Sequence, residues 1–410
     1  MLLDGKNHDN MYFAGRVFKL LCLDFKILEN ELKKLKRNFD DNLKNAKKGY
    51  EEENGKLCQI KKLNKGFYFI NGTQGIAEGA IKSGIDIYYA YPMTPATPLL
   101  GELAKNEIKN NILVLELENE IAVINAAIGS AITGAKSMVG TSGGGFDLMT
   151  EALSMTGVAE IPLVAYLSIR PGPGTGVATY TGQGDLHMAR HSGHGEFQRV
   201  VAAPGEPIEA SEIISQLFYL SQKYKIPCIF LGDKHLAESG YTLDKEPKIT
   251  KSEKLINLMR YNSYEKDSSG SATEDAEIIK KNIERRKKKI EQIKKEVSKF
   301  DSYKIHGNKN SKNLVISWGS TKGAILDAIK NIDCKFLQVL YIEPFSDKIK
   351  YELEKSKKII LVENNSTGQL ADVVAEKTGI IIPDSNKILR YDGRPFLSDE
   401  LEEEIRRKMK

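Results

Sequence analysis

Between residues 66 and 231 the chain alternates short apolar runs, at 66–70, 85–90, 112–117, 137–140, 162–169 and 226–231, with longer stretches whose apolar positions recur at helical spacing. Runs of this length bounded by turn residues predict strands, and the stretches between them predict amphipathic helices. The expectation is an α/β fold over residues 67–245: a doubly wound, mainly parallel sheet with helices on both faces. In such folds ligands sit beyond the carboxyl ends of the strands. The segments that begin at Tyr91, Ser142 and Arg170 all follow apolar runs and so are expected to converge there.

The flanking segments are patterned differently. Residues 1–66 read as a charged helical unit, with Lys, Asp and Glu dense over 30–53. Residues 246–311 break the strand–helix alternation. They contain a polar stretch at 261–271 and a Lys/Glu helix over 274–299, expected to be a solvated connection laced by i,i+4 ion pairs. From residue 312 to 410 a second α/β unit is expected, with strands at 314–318, 336–341 and 358–363. Gly319 to Gly323 lacks Walker spacing and reads as a tight strand-to-helix turn.

Composition narrows the classes. The chain has 410 residues, 41% hydrophobic and 28% charged, enough for two or three cores of ordinary globular kind. The net charge of +5 is spread over many Lys, Asp and Glu, which does not point to nucleic acid. The apolar patch 12–25 is interrupted by Arg16, Lys19 and Asp24, so neither a membrane span nor a secretory signal is expected. Cys22, Cys58, Cys228 and Cys334 are far apart with no Cys-x-x-Cys pair, which excludes an iron–sulfur or zinc site of ordinary spacing built by this chain alone. Buried free thiols and a cytoplasmic location are the expectation. His187 and His191 stand one helical turn apart but have no evident third ligand, and no metal site is expected there.

Glu120 opens a helix rich in Ala, Ile, Gly and Ser. It either complements the helix dipole or aims at a flat nitrogen heterocycle in the adjoining crevice. Alternation puts Glu116, Glu118 and Glu120 on one face if the strand continues to 120, and crowding would then raise the pKa of the group that works. The Glu120-to-Gly129 spacing is similar to that of the pyrimidine-binding half of thiamine diphosphate enzymes. Four further segments follow in order: Tyr91-Pro-Met-Thr-Pro95, Arg170-Pro-Gly-Pro-Gly-Thr-Gly176, Thr181-Gly-Gln-Gly-Asp-Leu186 and His194-Gly-Glu-Phe197. Together these segments, over nearly the whole chain, resemble the alpha subunit of the 2-oxoacid:ferredoxin oxidoreductases, in particular the 2-oxoglutarate type.

The resemblance implies a thiamine-diphosphate pyrimidine-binding domain followed by an interdomain link at 262–267 and a transketolase C-terminal-like domain. It implies that Glu120 holds N1′ of the cofactor, with Glu118 as second choice and Glu116 structural. Ser142 and Gly143 are expected beside the cofactor. Substrate contacts are implied at Tyr91, Pro92, Thr94, Arg170 and Thr179, where a guanidinium fork suits a carboxylate and the hydroxyls suit a small acid. His194 reads either as a proton-transfer group or as a satisfied histidine at a helix start. The first 66 residues resemble the last helices of a gamma domain, which implies a split or truncated gene and docking onto a separate gamma polypeptide.

No Gly-Asp-Gly…Asn magnesium motif and no cluster cysteines occur. The resemblance therefore implies a beta subunit that carries the diphosphate site, Mg²⁺ and a [4Fe–4S] cluster, with CoA and a 2-oxoacid as substrates and ferredoxin as acceptor. Two departures bear on substrate choice. Thr141-Ser-Gly-Gly-Gly145 stands where relatives read TSGPG, and Tyr180-Thr-Gly-Gln183 where they carry a Lys-Thr-Glu-Gln run. A non-catalytic scaffold, or a thiamine-dependent transferase without electron transfer, are the rival readings.

Overall fold

A computed structural model describes residues 9–35, 38–57, 60, 68–254 and 261–410. Two compact units are present, 1–66 and 67–410. In the first, the helices Asn10–Leu20, Phe25–Leu32 and Phe39–Glu52 enclose a small core of Leu28, Leu32 and Ala46. The outer two helices pack backbone to backbone. A β-carbon on Gly15 would stand 1.9 Å from the Ala46 carbonyl, and one on Gly49 would stand 1.9 Å from the Tyr12 carbonyl.

The second unit contains every described strand: β1 (Tyr68–Asn71), β2 (Ile87–Ala90), β3 (Leu113–Glu116), β4 (Ser137–Thr141), β5 (Leu163–Ile169), β6 (Val200–Ala202), β7 (Pro227–Asp233), β8 (Gly240–Leu243), β9 (Tyr303–Gly307), β10 (Asn313–Trp318), β11 (Lys335–Val339), β12 (Tyr341–Glu343), β13 (Lys358–Glu363) and β14 (Lys387–Leu389). A seven-stranded sheet runs β12-β6-β7-β5-β4-β2-β3, parallel throughout except for the β12 edge. Every residue of β4, β5 and β7 is buried, as expected of strands covered on both faces by helices.

Three elements differ from the sequence expectation. The run at 66–70, whose first two residues lie outside the described ones, does not join the main sheet; β1 pairs antiparallel with β8 in a separate ribbon. Strand β3 ends at Glu116 rather than continuing to 120, so the three glutamates do not share a strand face: Glu116 and Glu118 are exposed and Glu120 is buried. The helix Ala276–Val297 is tied to the body more than to itself. Arg285 and Lys289 both reach Glu160, Arg286 reaches Glu265, and Glu296 binds Lys223. Of the thiols, Cys228 and Cys334 are buried, Cys22 is exposed against expectation, and Cys58 lies outside the described residues.

The five-stranded sheet β14-β13-β10-β11-β9 is joined to the larger one by β12, which pairs with β6 through Tyr341 and Ala202. One hydrophobic core holds Val139, Leu167 and Ile342 of the first sheet together with Trp318 and Leu337 of the second. Between the sheets the buried Glu209 accepts from Lys322 at 2.8 Å, Lys304 at 3.0 Å and Gln338 at 2.7 Å. Burial disfavours its charge, but the two ammonium groups outweigh this and hold the carboxyl at about 2. Among the described residues no helix is long and apolar enough to cross a membrane.

Candidate active site

The adjacent parallel strands β5, β4, β2 and β3 end on one edge. At about 4.8 Å per step their four exits lie within roughly 15 Å. Those exits are the segments carrying Arg170, Ser142, Tyr91 to Pro95 and Glu120, so the strand order alone brings them together.

Glu120 is the first residue of the helix Glu120–Ile132, which Asn119 caps by accepting from the Ala122 N–H at 2.9 Å. Because Asn119 does the capping, the glutamate is free of that task. Glu120 is 3% exposed, and its Oε1 is buried with no hydrogen-bond partner among the described residues. Ser142 precedes the helix Gly143–Ala159 in the N-cap position, where a serine ordinarily accepts from the first turn. Here it makes no such bond, and its Oγ is likewise buried and unpartnered. An orphaned buried oxygen costs about 1–3 kcal/mol, and two at the mouths of neighbouring helices mark a place built for a polar ligand.

The glycines shape that place. A β-carbon on Gly145 would meet Thr141 Oγ1 at 2.1 Å and Glu120 Oε1 at 2.4 Å, whereas one on Gly144 would meet nothing. Gly143 faces the Asp185 carboxylate, which would lie 2.8 Å from its β-carbon. Thr141 Oγ1 approaches Met93 Sδ at 3.9 Å, joining the Tyr91–Pro95 segment to the glycine turn.

Arg170 is half-buried, and its Nη1 donates to the Thr94 carbonyl at 2.7 Å; this is its one hydrogen bond among the described residues. The guanidinium thus keeps donors for a ligand while the Thr94 bond fixes its position. Tyr91 and Pro92 are exposed at the rim, and Thr94 is half-buried. Thr179 is exposed on the loop beyond Arg170, and no hydrogen bond joins it to Arg170 or Thr94. Tyr180 on the same loop lies under the Arg394 guanidinium, 3.6 Å from the ring centre.

Both readings of His194 are corrected. His194 serves neither as a neighbour of the crevice nor as a helix start: it is exposed in a bend, its N–H on Ser154 Oγ, about three turns down the helix from Gly143. A β-carbon on Gly129 would face open space within this chain. His187 bonds Asp372 at 3.0 Å. A cavity of about 760 Å³ lined by Glu160, Lys223, Tyr224, Arg285 and Lys289 opens at the far end of the helix Gly143–Ala159, away from all these groups.

Sequence reasoning gave no role to Asp185. Its segment is clamped by the C-terminal half. Gln183 donates to the Trp318 carbonyl at 2.9 Å and accepts from the Asn364 N–H at 2.8 Å, and Asn365 donates to the Gln183 carbonyl at 2.9 Å. Burial pushes the Asp185 carboxyl up to about 6, helped by Asp147 and partly offset by Arg170. No local pattern announces this, because Gly143, Asp147 and Arg170 beside the carboxyl, and the residues that clamp its segment, all lie far from it in the chain.

Residues 78–310 match the family described as pyruvate flavodoxin/ferredoxin oxidoreductase, thiamine diphosphate-binding. The chain belongs to this family. Among its relatives, 2-oxoacid:ferredoxin oxidoreductase 1 subunit alpha of Sulfurisphaera tokodaii is 34% identical over 387 residues, covering 82% of this chain and 61% of that one. The 2-oxoglutarate synthase subunit KorA of Methanocaldococcus jannaschii is 30% identical over 327 residues, covering 72% of this chain and 88% of that one. This chain therefore spans about three-fifths of the length of the first of these relatives. A solved 2-oxoglutarate:ferredoxin oxidoreductase from Magnetococcus marinus, with 2-oxoglutarate, coenzyme A and succinyl-CoA bound, superposes with a TM-score of 0.86 at 24% identity, over 98% of this chain and 77% of that one. At that identity the match establishes a shared fold. A thiamine diphosphate-binding family fits the orphaned Glu120 oxygen, since a carboxyl at such a helix mouth is placed to meet a ring nitrogen.

Proposed function

We propose that this chain is the alpha-type component of a CoA-dependent 2-oxoacid:ferredoxin oxidoreductase, converting a 2-oxoacid, CoA and oxidised ferredoxin into acyl-CoA, CO₂ and reduced ferredoxin. The observation that carries the reading is the buried, unpartnered Oε1 of Glu120 facing the glycine turn after β4. Thiamine diphosphate bound there supplies the nucleophilic carbon that attacks a keto group and the electron sink that permits loss of CO₂. Glu120 would hold a proton at the pyrimidine N1′, and Ser142 and Gly143 would line the same cofactor site.

Arg170 clamps the substrate carboxylate from the Thr94 side. Thr94 and Thr179 donate hydroxyl hydrogen bonds, with Tyr91 and Pro92 forming the rim. The diphosphate, Mg²⁺ and a [4Fe–4S] cluster belong to a beta chain, for which the exposed Ile121 and Leu148 on the two site helices supply apolar contact. The helical unit 1–66 docks a separate gamma polypeptide. The Magnetococcus protein's ligands make 2-oxoglutarate the first acid to try.

The test is co-production with a candidate beta chain and CoA-dependent viologen reduction across several 2-oxoacids, wild type beside Arg170→Ala. Activity on one acid, lost in the variant mainly through KM, supports both the reaction and the clamp. A thiamine-loaded complex inert toward every acid rejects the oxidoreductase reading in favour of a scaffold.

A further inference from the structure

Asp185 is an acid of the crevice that the chemistry above leaves without a task. Its carboxylate faces the first turn of the helix Gly143–Ala159 closely enough that a β-carbon on Gly143 would lie 2.8 Å from Oδ2. An aspartate in that place would be expected to take a backbone N–H from the turn, and it takes none. Nor does it cap its own helix Leu186–His191, or bond Arg170, whose Nη1 is on Thr94. It is held rigidly all the same. Thr181 N–H donates to the Gly393 carbonyl at 3.1 Å, and Gln369 Nε2 donates to the Gly184 carbonyl at 2.7 Å, immediately before Asp185. A fixed carboxyl with no hydrogen-bond partner among the described residues, beside an arginine with donors to spare, is arranged for something that arrives.

We propose that Asp185 is a substrate-binding residue that works in its protonated form, donating a hydrogen bond to the carboxylate of the 2-oxoacid held by Arg170. The inference rests on the functional reading above. An ionised Asp185 would stand as a like charge against the incoming carboxylate; the neutral form is a donor. The charged groups facing it are Asp147 from the helix Gly143–Ala159 and Arg170 from the end of β5. His187, two residues on, is bonded to Asp372 of the helix Gln369–Thr378. A carboxyl raised to about 6 by burial needs little more to keep its proton once an anion is beside it. Substrate binding above that pH is therefore accompanied by proton uptake, and affinity falls by up to about tenfold per pH unit.

The experiment is titration calorimetry of the complete complex, loaded with thiamine diphosphate and Mg²⁺. The ligands are the unreactive 2-oxoacid analogues oxamate and N-oxalylglycine, in two buffers of unlike ionisation enthalpy from pH 5.5 to 8. Wild type is expected to take up close to one proton per site at pH 7.5. Asp185→Asn, which keeps a donor but cannot titrate, should bind with no linked proton and a pH-independent Kd. Asp185→Ala should bind at least tenfold more weakly than Asp185→Asn at every pH. Binding by wild type with no proton uptake, or uptake that survives in Asp185→Asn, overturns the proposal and leaves the functional reading standing. Absence of binding by either analogue to the loaded wild-type complex overturns the functional reading and this inference with it. The wild-type measurement decides the matter even if a variant fails to assemble.

Discussion

Oε1 of Glu120 stands 2.4 Å from the position a β-carbon on Gly145 would take. Glu120 begins the helix after β3 and Gly145 lies in the first turn of the helix after β4, and strand order makes those helices neighbours. The absence of a side chain at 145 is therefore what leaves room for the carboxylate at the crevice.

Gly145→Ala should move that carboxylate. The new methyl group also meets Thr141 Oγ1 at 2.1 Å, so both side chains must rotate. We expect a loss of about 1–3 kcal/mol in chemical denaturation and weaker uptake of thiamine diphosphate by the assembled complex. Unchanged cofactor affinity would separate Glu120 from the cofactor.

Gly144→Pro should stabilise. Residue 144 lies in the first turn of its helix, where no intrahelical N–H bond is lost, and its β-carbon position is open. Restricting the unfolded chain there is worth about 0.4–1 kcal/mol. A lower Tm would mean that the glycine is needed for a backbone adjustment at the crevice.

Glu209 predicts acid sensitivity. Its folded-state carboxyl lies at about 2, below the ordinary 4.5, so its contribution is present above 4.5 and is lost as pH falls toward 2. Among the described residues, Glu209→Gln leaves Lys322, 5% exposed, with Glu206 as its one ion-pair partner. At pH 7 this should cost about 3–5 kcal/mol. The gap to wild type should narrow at pH 3; a gap constant with pH would show that charge is not the cause.

Glu363 predicts the opposite slope. Burial raises it to about 7 even though Trp318 Nε1 donates to it at 2.7 Å and the Leu370 N–H at 3.0 Å. A raised carboxyl contributes stability that is full below 4.5 and is lost as pH climbs through about 7. Glu363→Gln should therefore gain on wild type between pH 5 and 8 in urea titrations. Parallel curves would reject this account.

Much of the crevice was legible before any fold was known. The apolar runs put the segments beginning at Tyr91, Ser142 and Arg170 at strand ends, because strand length and burial on both faces are written within a few residues of one another; the roles expected of Glu120 and Arg170 came from the resemblance. The reading failed where a local rule was carried too far. Alternation suggested a strand to Glu120, but Asn119 ends that possibility by capping a helix. His194, adjacent in sequence to the active segments, is carried away from them by the length of a helix.

The sequence alone determined the α/β class and supplied the candidate residues, since periodicity and side-chain type are local properties. Only the tertiary structure decided which of those residues meet. Strand order brings four loops to one edge, and the three-residue β12, too short to leave a pattern, ties the C-terminal sheet to the first. It also decided which polar atoms lack partners. Burial and hydrogen-bond satisfaction depend on groups far off in the chain, as the clamp of Asn364 and Asn365 on Gln183 beside Asp185 shows.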